Sequence, residues 1–292
     1  MKIFCESSGG WRVTRMVGAD VRRRGLVTSS PTSAFTMVEI AISLAVIGIA
    51  LVSIIGVLPI GMHTQRDNRE ETIINQDATV MMEAIRGGAR GLDDLTNYVY
   101  AITNYWTNIT SHATGINGYT FTNFSVPATY YCSGSCLTNG ANIVGLLSTP
   151  EYVDSSSYLP IPSLIYGGIS NHVVAYVHSI SGPAVEKPPQ NNDIIVGSSF
   201  GYRILCVNAP VAVDTNLFNL SLNPNGPPEY YKQLAANLHE LRLTFLWPQQ
   251  PSGNLGPGRQ TFRTTIAGQI TQINTNSQWL YFYQSQSFTN AP

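Results

Sequence analysis

The sequence predicts an α+β protein, with a long N-terminal helix packed on a C-terminal antiparallel β-sheet domain. Three observations predict it. From Ile40 to Met62 no residue carries a charge, and a run of that length can cross a bilayer, which needs roughly 20 apolar residues. From Gln65 to Arg86 apolar residues recur at helical spacing: Ile74, Ala78, Met81 and Ile85 share one face. From residue 171 onward, Val- and Tyr-rich runs are separated by Gly, Pro and Asn, the pattern of strands and turns.

The elements follow in order. Residues 1–34 form a basic segment. It holds Lys2, Arg12, Arg15, Arg22, Arg23 and Arg24 against Glu6 and Asp20, a net charge of +4. The whole chain carries −1, so the remainder carries −5. Lys and Arg beside a spanning helix stay in the cytoplasm. The N-terminus is therefore expected inside, and the chain after Thr64 outside.

The apolar run, residues 35–64, starts at Phe35-Thr36-Met37-Val38-Glu39. Glu39 is the odd feature. A carboxylate in hydrocarbon costs on the order of 2.5–3.5 kcal/mol even on mild insertion scales, so it needs a partner or a role. Pro59 lies inside the run and predicts a kink, because proline removes a backbone hydrogen bond and clashes with the preceding turn.

Residues 65–91 continue the helix as an amphipathic segment. Arg66, Asp67, Arg69, Glu70 and Glu71 form a solvated band at its start. Gly87, Gly88 and Gly91 end it. A helix from Phe35 to Arg86 is about 78 Å long at 1.5 Å per residue.

Residues 92–170 read as a loop-rich region with a few short strands, dominated by Asn, Thr, Tyr, Gly and Ser. Residues 171–292 read as a β-rich domain outside the cytoplasm. Asn171 to Ile180 and Gly201 to Val207 are two strands. Leu238 to Trp247 is the clearest, with Leu241, Leu243, Phe245 and Trp247 alternating against a more polar face. Pro248 is expected to end that strand, and 251–258 to turn. Gln260 to Gly268 returns with Phe262, Thr264 and Ile266 on one face. Trp279 to Tyr283 is a last strand or an aromatic tail.

The residues around Phe35 carry a family resemblance. Ala34, Phe35-Thr36-Met37-Val38-Glu39 and the apolar run after them resemble the N-terminus of type IV pilins and type II secretion pseudopilins. In that family a basic leader ends in a small residue, usually Gly; here it is Ala34. The resemblance implies cleavage between Ala34 and Phe35 by a membrane prepilin peptidase, which also methylates the new Phe35 amine. It implies polymerisation through the helix with other pilins or pseudopilins, on an inner-membrane assembly platform and out of membrane lipid. It also implies that Glu39 sets the registry of subunits. The 238–268 hairpin resembles the C-terminal sheet of minor pilins. A secretory signal would place an apolar core of about 7–15 residues before the cut, whereas this run is longer and lies after it. A plain anchor helix leaves Glu39 unexplained.

Charged residues make up 11 % of the chain, against roughly 25 % in soluble domains. No basic patch or stacking motif points to nucleic acid. Of four cysteines, Cys5 lies in the leader, Cys132 and Cys136 are a candidate disulfide across a Ser-Gly-Ser turn, and Cys206 reads as core. No cofactor or metal is implied. His172 and His178 share a strand face but lie far apart, and Asp193 and Asp214 show no regular oxygen-ligand spacing. No nucleophile elbow, phosphate loop or zinc-protease motif occurs, so the reading is not that of an enzyme. Two functions stay open: a minor structural subunit of a pilus-like fibre, or a monomeric membrane-anchored binding protein whose aromatic, Asn-rich stretch from Tyr98 to Tyr158 meets a ligand.

Overall fold

Helix α1 runs from Met37 to Gly87. Thr36 caps it: its hydroxyl oxygen and its carbonyl both accept from the Glu39 N–H, the usual arrangement at a helix N-terminus. The computed structural model of the protein describes residues 35–88, 93–120, 130–133, 137, 139–162, 167–181, 200–211, 216, 224–225, 228–250, 252–275 and 278–288. The chain divides into two units, Met1–Gly61 and Met62–Pro292. In the first, the described residues are the apolar half of α1, exposed along its whole length.

In the second unit the rest of α1 joins a sheet. After a 3-10 helix (Asp93–Asn97) come β1 (Val99–Asn108), β2 (Thr114–Thr120), β3 (Tyr130–Ser133), α2 (Gly140–Leu147) and β4 (Tyr152–Val153). Then follow β5 (Ile169–His178), β6 (Gly201–Pro210), α3 (Glu229–Asn237), β7 (Leu238–Gln249), β8 (Leu255–Ala267), β9 (Gln269–Thr275) and β10 (Gln278–Gln284). The main sheet runs β3-β2-β1-β5-β6-β7-β8, with β4 paired to one end of β5. Among the described strands β2 and β3 pair in parallel, and an isolated parallel bridge joins Pro150 to Asn208. β9 and β10 form a separate hairpin. The α+β architecture is as expected: a long N-terminal helix and a C-terminal antiparallel sheet.

The core follows from two periods. Ile74, Ala78, Met81 and Ile85 are all fully buried on one face of α1. They share a cluster with Val173, Ala175 and Val177 of β5, Ile204 and Cys206 of β6, and Leu241, Leu243 and Phe245 of β7. These strand residues alternate by two, so one sheet face is apolar. Ile143, Val144 and Leu147 of α2 and Leu280 and Phe282 of β10 complete the same cluster. Trp279 to Tyr283 is therefore a strand and not a tail.

Three differences from the sequence reading have physical causes. Among the described residues of 92–170 the strands are not all short, since β1 is a ten-residue strand inside the sheet. Its Thr103 is buried and its Asn104 half-buried, and polar residues there mask the alternation. β7 does not stop at Pro248. It continues to Gln249 through a register shift after Trp247, an irregularity where the missing proline N–H is tolerated. The Trp247–Pro248 peptide bond is cis. Nor is 255–258 a turn, because Gly258 lies directly opposite Trp247 in the β7–β8 ladder. A Cβ on Gly258 would sit 2.5 Å from the Trp247 ring, so glycine there serves a close approach.

One buried carboxylate fastens α1 to the sheet. Asp77 is fully buried and sits on the same helix face as Ile74, Ala78 and Met81. Its Oδ2 accepts from the Ile180 N–H at 3.0 Å and the Tyr202 hydroxyl at 2.8 Å. Its Oδ1 accepts from the Ser181 N–H at 2.9 Å and from the Ser181 hydroxyl. Burial pushes its pKa up, and the hydrogen bonds from Ser181, Ile180 and Tyr202 oppose that rise. Replacing Asp77 by Ala strands these donors, at roughly 1–3 kcal/mol for each buried group left unpaired. The Asp77→Ala full chain is expected to unfold at least about 3 kcal/mol more easily in urea melts of the second unit, whereas a surface control such as Glu83→Ala should change little.

Two buried histidines set a pH dependence. Burial lowers the pKa of His178 and of His239 to about 4 in each case, with the Ala236 carbonyl opposing the shift at His239. A lowered folded pKa contributes stability that is present above the unfolded value of 6.5 and lost as pH falls through about 4. The loss reaches at most about 3 kcal/mol per ring. Asp77 works in the opposite sense, since its raised pKa favours the folded state at low pH. Stability is therefore expected to fall between pH 6.5 and 4, and His178→Phe and His239→Phe should each flatten that slope in melts taken across the range.

Candidate functional site

Two surfaces are candidates. The first is the exposed N-terminal half of α1. Phe35 is 75 % exposed and Met37 is 90 % exposed, and Ile40, Leu44, Ile47, Leu51, Ile54 and Leu58 are exposed as well. Isoleucine, leucine and valine point to every side, so the surface is apolar all round. The polar groups within it are closed internally. The Ser43 hydroxyl donates to the Glu39 carbonyl at 2.7 Å, and the Ser53 hydroxyl donates to the Ile49 carbonyl at 2.8 Å. Such back-bonding satisfies hydroxyls where water is absent. The helix is long and apolar enough to cross a membrane.

Glu39 stands apart. It is exposed in the first turn of α1, and among the described residues its carboxylate has no hydrogen bond or ion pair. The next charge along the helix is Arg66, paired with Glu70 at 2.8 Å. Phe35 lies four residues before Glu39, immediately ahead of the cap. Ala34 and Cys136 lie outside the described residues, as do Asp193 and Asp214. Cys132 lies in β3 opposite Tyr119. Pro59 lies inside α1. Cys206 is buried, and its thiol pKa is pushed up to about 12 by burial.

His172 and His178 are on one face of β5 but differ in surroundings. His172 is exposed and opposite Tyr105. His178 is buried and stacked on Tyr100, with ring centroids 4.5 Å apart. No group of three or more His, Cys, Asp or Glu residues could hold a metal among the described residues.

The second surface is a cleft of about 430 Å³ at one end of the second unit. Sites for small molecules have volumes of about 300–1,000 Å³. Trp106 of β1, Tyr119 of β2, Tyr158 of the loop after β4, and Trp279 and Tyr281 of β10 line it with rings. Tyr158 has a φ of 58°, a left-handed backbone that is rare for a bulky side chain. The loop enforces it: the Tyr158 N–H donates to the Asp154 carbonyl at 3.0 Å, and the Asp154 N–H donates to the Leu159 carbonyl at 2.9 Å. The Asp154 carboxylate is turned into the loop, where the hydroxyls and N–H groups of Ser156 and Ser157 hold its pKa well below the usual range. The Tyr281 hydroxyl donates to the Tyr158 carbonyl at 2.9 Å, and the Tyr158 ring stacks on Trp279 at 5.5 Å. These groups fix one aromatic wall.

The Trp106 ring rests on a bare backbone. Gly115 lies directly across the ladder from Trp106, and a Cβ there would meet the Trp106 ring at 2.4 Å. The cleft was beyond reach of sequence reasoning because its walls come from β1, β2, α2, β4, β5, β10 and the loops between them. The Asn- and aromatic-rich composition of 98–158 was the only signal.

No known protein family, curated protein or solved structure matches this chain.

Gly115→Ala is expected to displace the Trp106 ring and to cost about 1–3 kcal/mol, as overpacking does. The check is near-ultraviolet circular dichroism and intrinsic fluorescence together with a thermal melt. Gly87→Ala, where a Cβ meets nothing within 4 Å, is the control and should leave the spectra unchanged.

Proposed function

We propose that this chain is a minor structural subunit of a pilus-like fibre, either a type IV pilus or a type II secretion pseudopilus. The observation that carries the proposal is Glu39: a lone carboxylate without a partner among the described residues, at the head of a long, uncharged and exposed helix surface. The architecture of a long apolar helix whose second half packs on an antiparallel sheet supports the same reading.

In this proposal the basic leader holds the chain in the inner membrane, with its N-terminus inside and the sheet domain outside. A prepilin peptidase hydrolyses the Ala34–Phe35 peptide bond with water and methylates the freed Phe35 amine from a sulfonium methyl donor, which leaves as the thioether; the methylated amine stays cationic. Helices then leave the lipid and bundle with one another. Glu39 of one subunit pairs with the Phe35 amine of a neighbour. In low dielectric an unpaired carboxylate is strongly disfavoured, so a subunit at the wrong axial height is rejected. The large outer unit favours a minor over a major subunit.

A second reading is a monomeric membrane-anchored binding protein, favoured by the ring-lined cleft of the outer unit. N-terminal processing separates the two. Fibre assembly predicts a mature chain that begins at Phe35 and carries one added methyl group, read by intact mass and N-terminal sequencing with and without the peptidase. A chain that keeps its leader would support the monomer. Glu39→Ala is expected to be processed normally yet to enter fibres about tenfold less or worse, as loss of a buried charge partner implies. Wild-type incorporation would remove the registry role.

A further inference from the structure

The cleft carries a polar pattern that its stability does not explain. Asn171 is buried, and its Nδ2 donates to the Pro150 carbonyl at 3.2 Å. A carbonyl can only accept, so this contact fixes which way the Asn171 amide points. Its Oδ1 then faces Asn104 and accepts from Asn104 Nδ2 at 3.0 Å. Asn104 is thereby fixed in turn, and its Oδ1 is left over. That oxygen is buried and has no hydrogen-bond partner among the described residues. The same holds for Gln278 Nε2, a buried donor without a partner among the described residues. Both residues line the cleft. A buried polar atom left unsatisfied costs roughly 1–3 kcal/mol, and a fold that keeps one acceptor and one donor in this condition at one cavity has groups to offer a ligand.

The remaining lining narrows the ligand. None of its residues is Lys, Arg, His, Asp or Glu, so a phosphate, carboxylate or ammonium group meets no counter-charge. Nucleic acid needs basic groups along its backbone and is excluded on that ground. The rings supply flat apolar surface with polar edges. Trp106 donates from Nε1 to Asn117 Oδ1 at 3.4 Å, which leaves the Asn117 NH2 as a further donor. Burial pushes the Tyr119 hydroxyl pKa up to about 12, so that group stays protonated and can donate. Flat apolar faces, neutral amides of both polarities and no charge match one chemical class. A pyranose ring has an apolar C–H face and a rim of hydroxyls that both donate and accept.

We propose that this cleft binds a neutral saccharide. One face of a pyranose lies on the Tyr158–Trp279 wall. Its hydroxyls donate to Asn104 Oδ1 and accept from Gln278 Nε2. The inference stands whether the chain polymerises or remains a single anchored copy, because every lining residue belongs to the second unit.

The test uses the purified full chain in lauryldimethylamine oxide, a detergent without a sugar head group. Maltotriose, cellotriose, mannotriose and tri-N-acetylchitotriose are titrated, with the matching monosaccharides alongside, and Trp fluorescence and calorimetry report binding. The expected result is saturable binding of at least one neutral probe. Trp279→Ala and Gln278→Leu should each weaken it about tenfold or more while the thermal melt stays near wild type. Asn104→Asp is a second probe of the acceptor, which keeps that oxygen but loses the donor to Asn171. It should weaken binding less than Gln278→Leu if the free oxygen is what the ligand meets. The proposal is overturned if no neutral sugar binds at millimolar concentration, if the Trp279 and Gln278 variants bind as wild type does, or if sialyllactose or adenosine binds more tightly than every neutral probe.

Discussion

A helix surface that is apolar on every side has no stable place in water, and the rest of the molecule is read from that constraint. Between Phe35 and Met62 the exposed residues are almost all Ile, Leu, Val, Met, Ala or Gly. Either lipid or other helices must cover them. Lipid alone would satisfy the side chains but not Glu39, which lies at the very head of the run. In the proposed fibre a bundle of like helices satisfies both, because there a second chain brings the cationic Phe35 amine. The same argument explains why hydroxyls are tolerated along the run while further charges are absent. Ser43 and Ser53 close on the carbonyl four residues earlier, whereas a carboxylate has no such internal solution.

The second half of α1 obeys a different rule. Its apolar residues are confined to one face and are covered by the sheet, so its position is set by packing. Hydrophobic contact is non-directional and tolerates sliding along the helix axis. Asp77 does not. Four donors from three residues converge on its two oxygens, and moving the helix by one turn would leave all of them unpaired. The buried carboxylate thus fixes the axial register of helix against sheet, and the apolar face supplies the contact area. Proposed for Glu39 is the same device acting between chains: one costly charge that is satisfied at a single axial position.

How much of this was legible in the sequence depends on period and on sequence distance. The face Ile74, Ala78, Met81, Ile85 and the alternation Leu241, Leu243, Phe245, Trp247 were legible because each repeats its period several times. β1 was not, because the polar Thr103 and Asn104 sit at buried and half-buried places in the strand and break its apolar alternation. α2 was not, because an eight-residue apolar run fits strand and helix alike. The signal that would have decided was Asn139, whose side chain caps the helix by accepting from the Ala141 N–H. Gly258 was read as a turn residue when its role is to make room for Trp247. At the helix head, Phe35 and Glu39 were marked by the resemblance to a motif, and the structure places both at the exposed start of the apolar run. Asp77 was not singled out, although a carboxylate on an otherwise apolar helix face is itself a sign of a buried partner.

The cleft was the least legible feature, for a reason that bears on its chemistry. The pair Asn104 and Asn171 is 67 residues apart, and each amide is informative only once the other's orientation is fixed. Asparagine is ordinarily a turn residue, and a sequence rich in it reads as loop. In the sheet it does something else: Asn171 is held by Pro150 so that Asn104 is held in turn, and one oxygen of this cleft-lining residue is left over. Fully paired amides would have made that end of the sheet more stable and closed to a ligand. A low charge content also means something different there. Along α1 the absence of charge allows burial in lipid or in a bundle, while in the cleft it selects against ionic ligands and leaves neutral hydrogen bonds and ring faces to discriminate. The two surfaces draw on separate stretches of sequence, so substitution in the cleft leaves the helix head chemically intact.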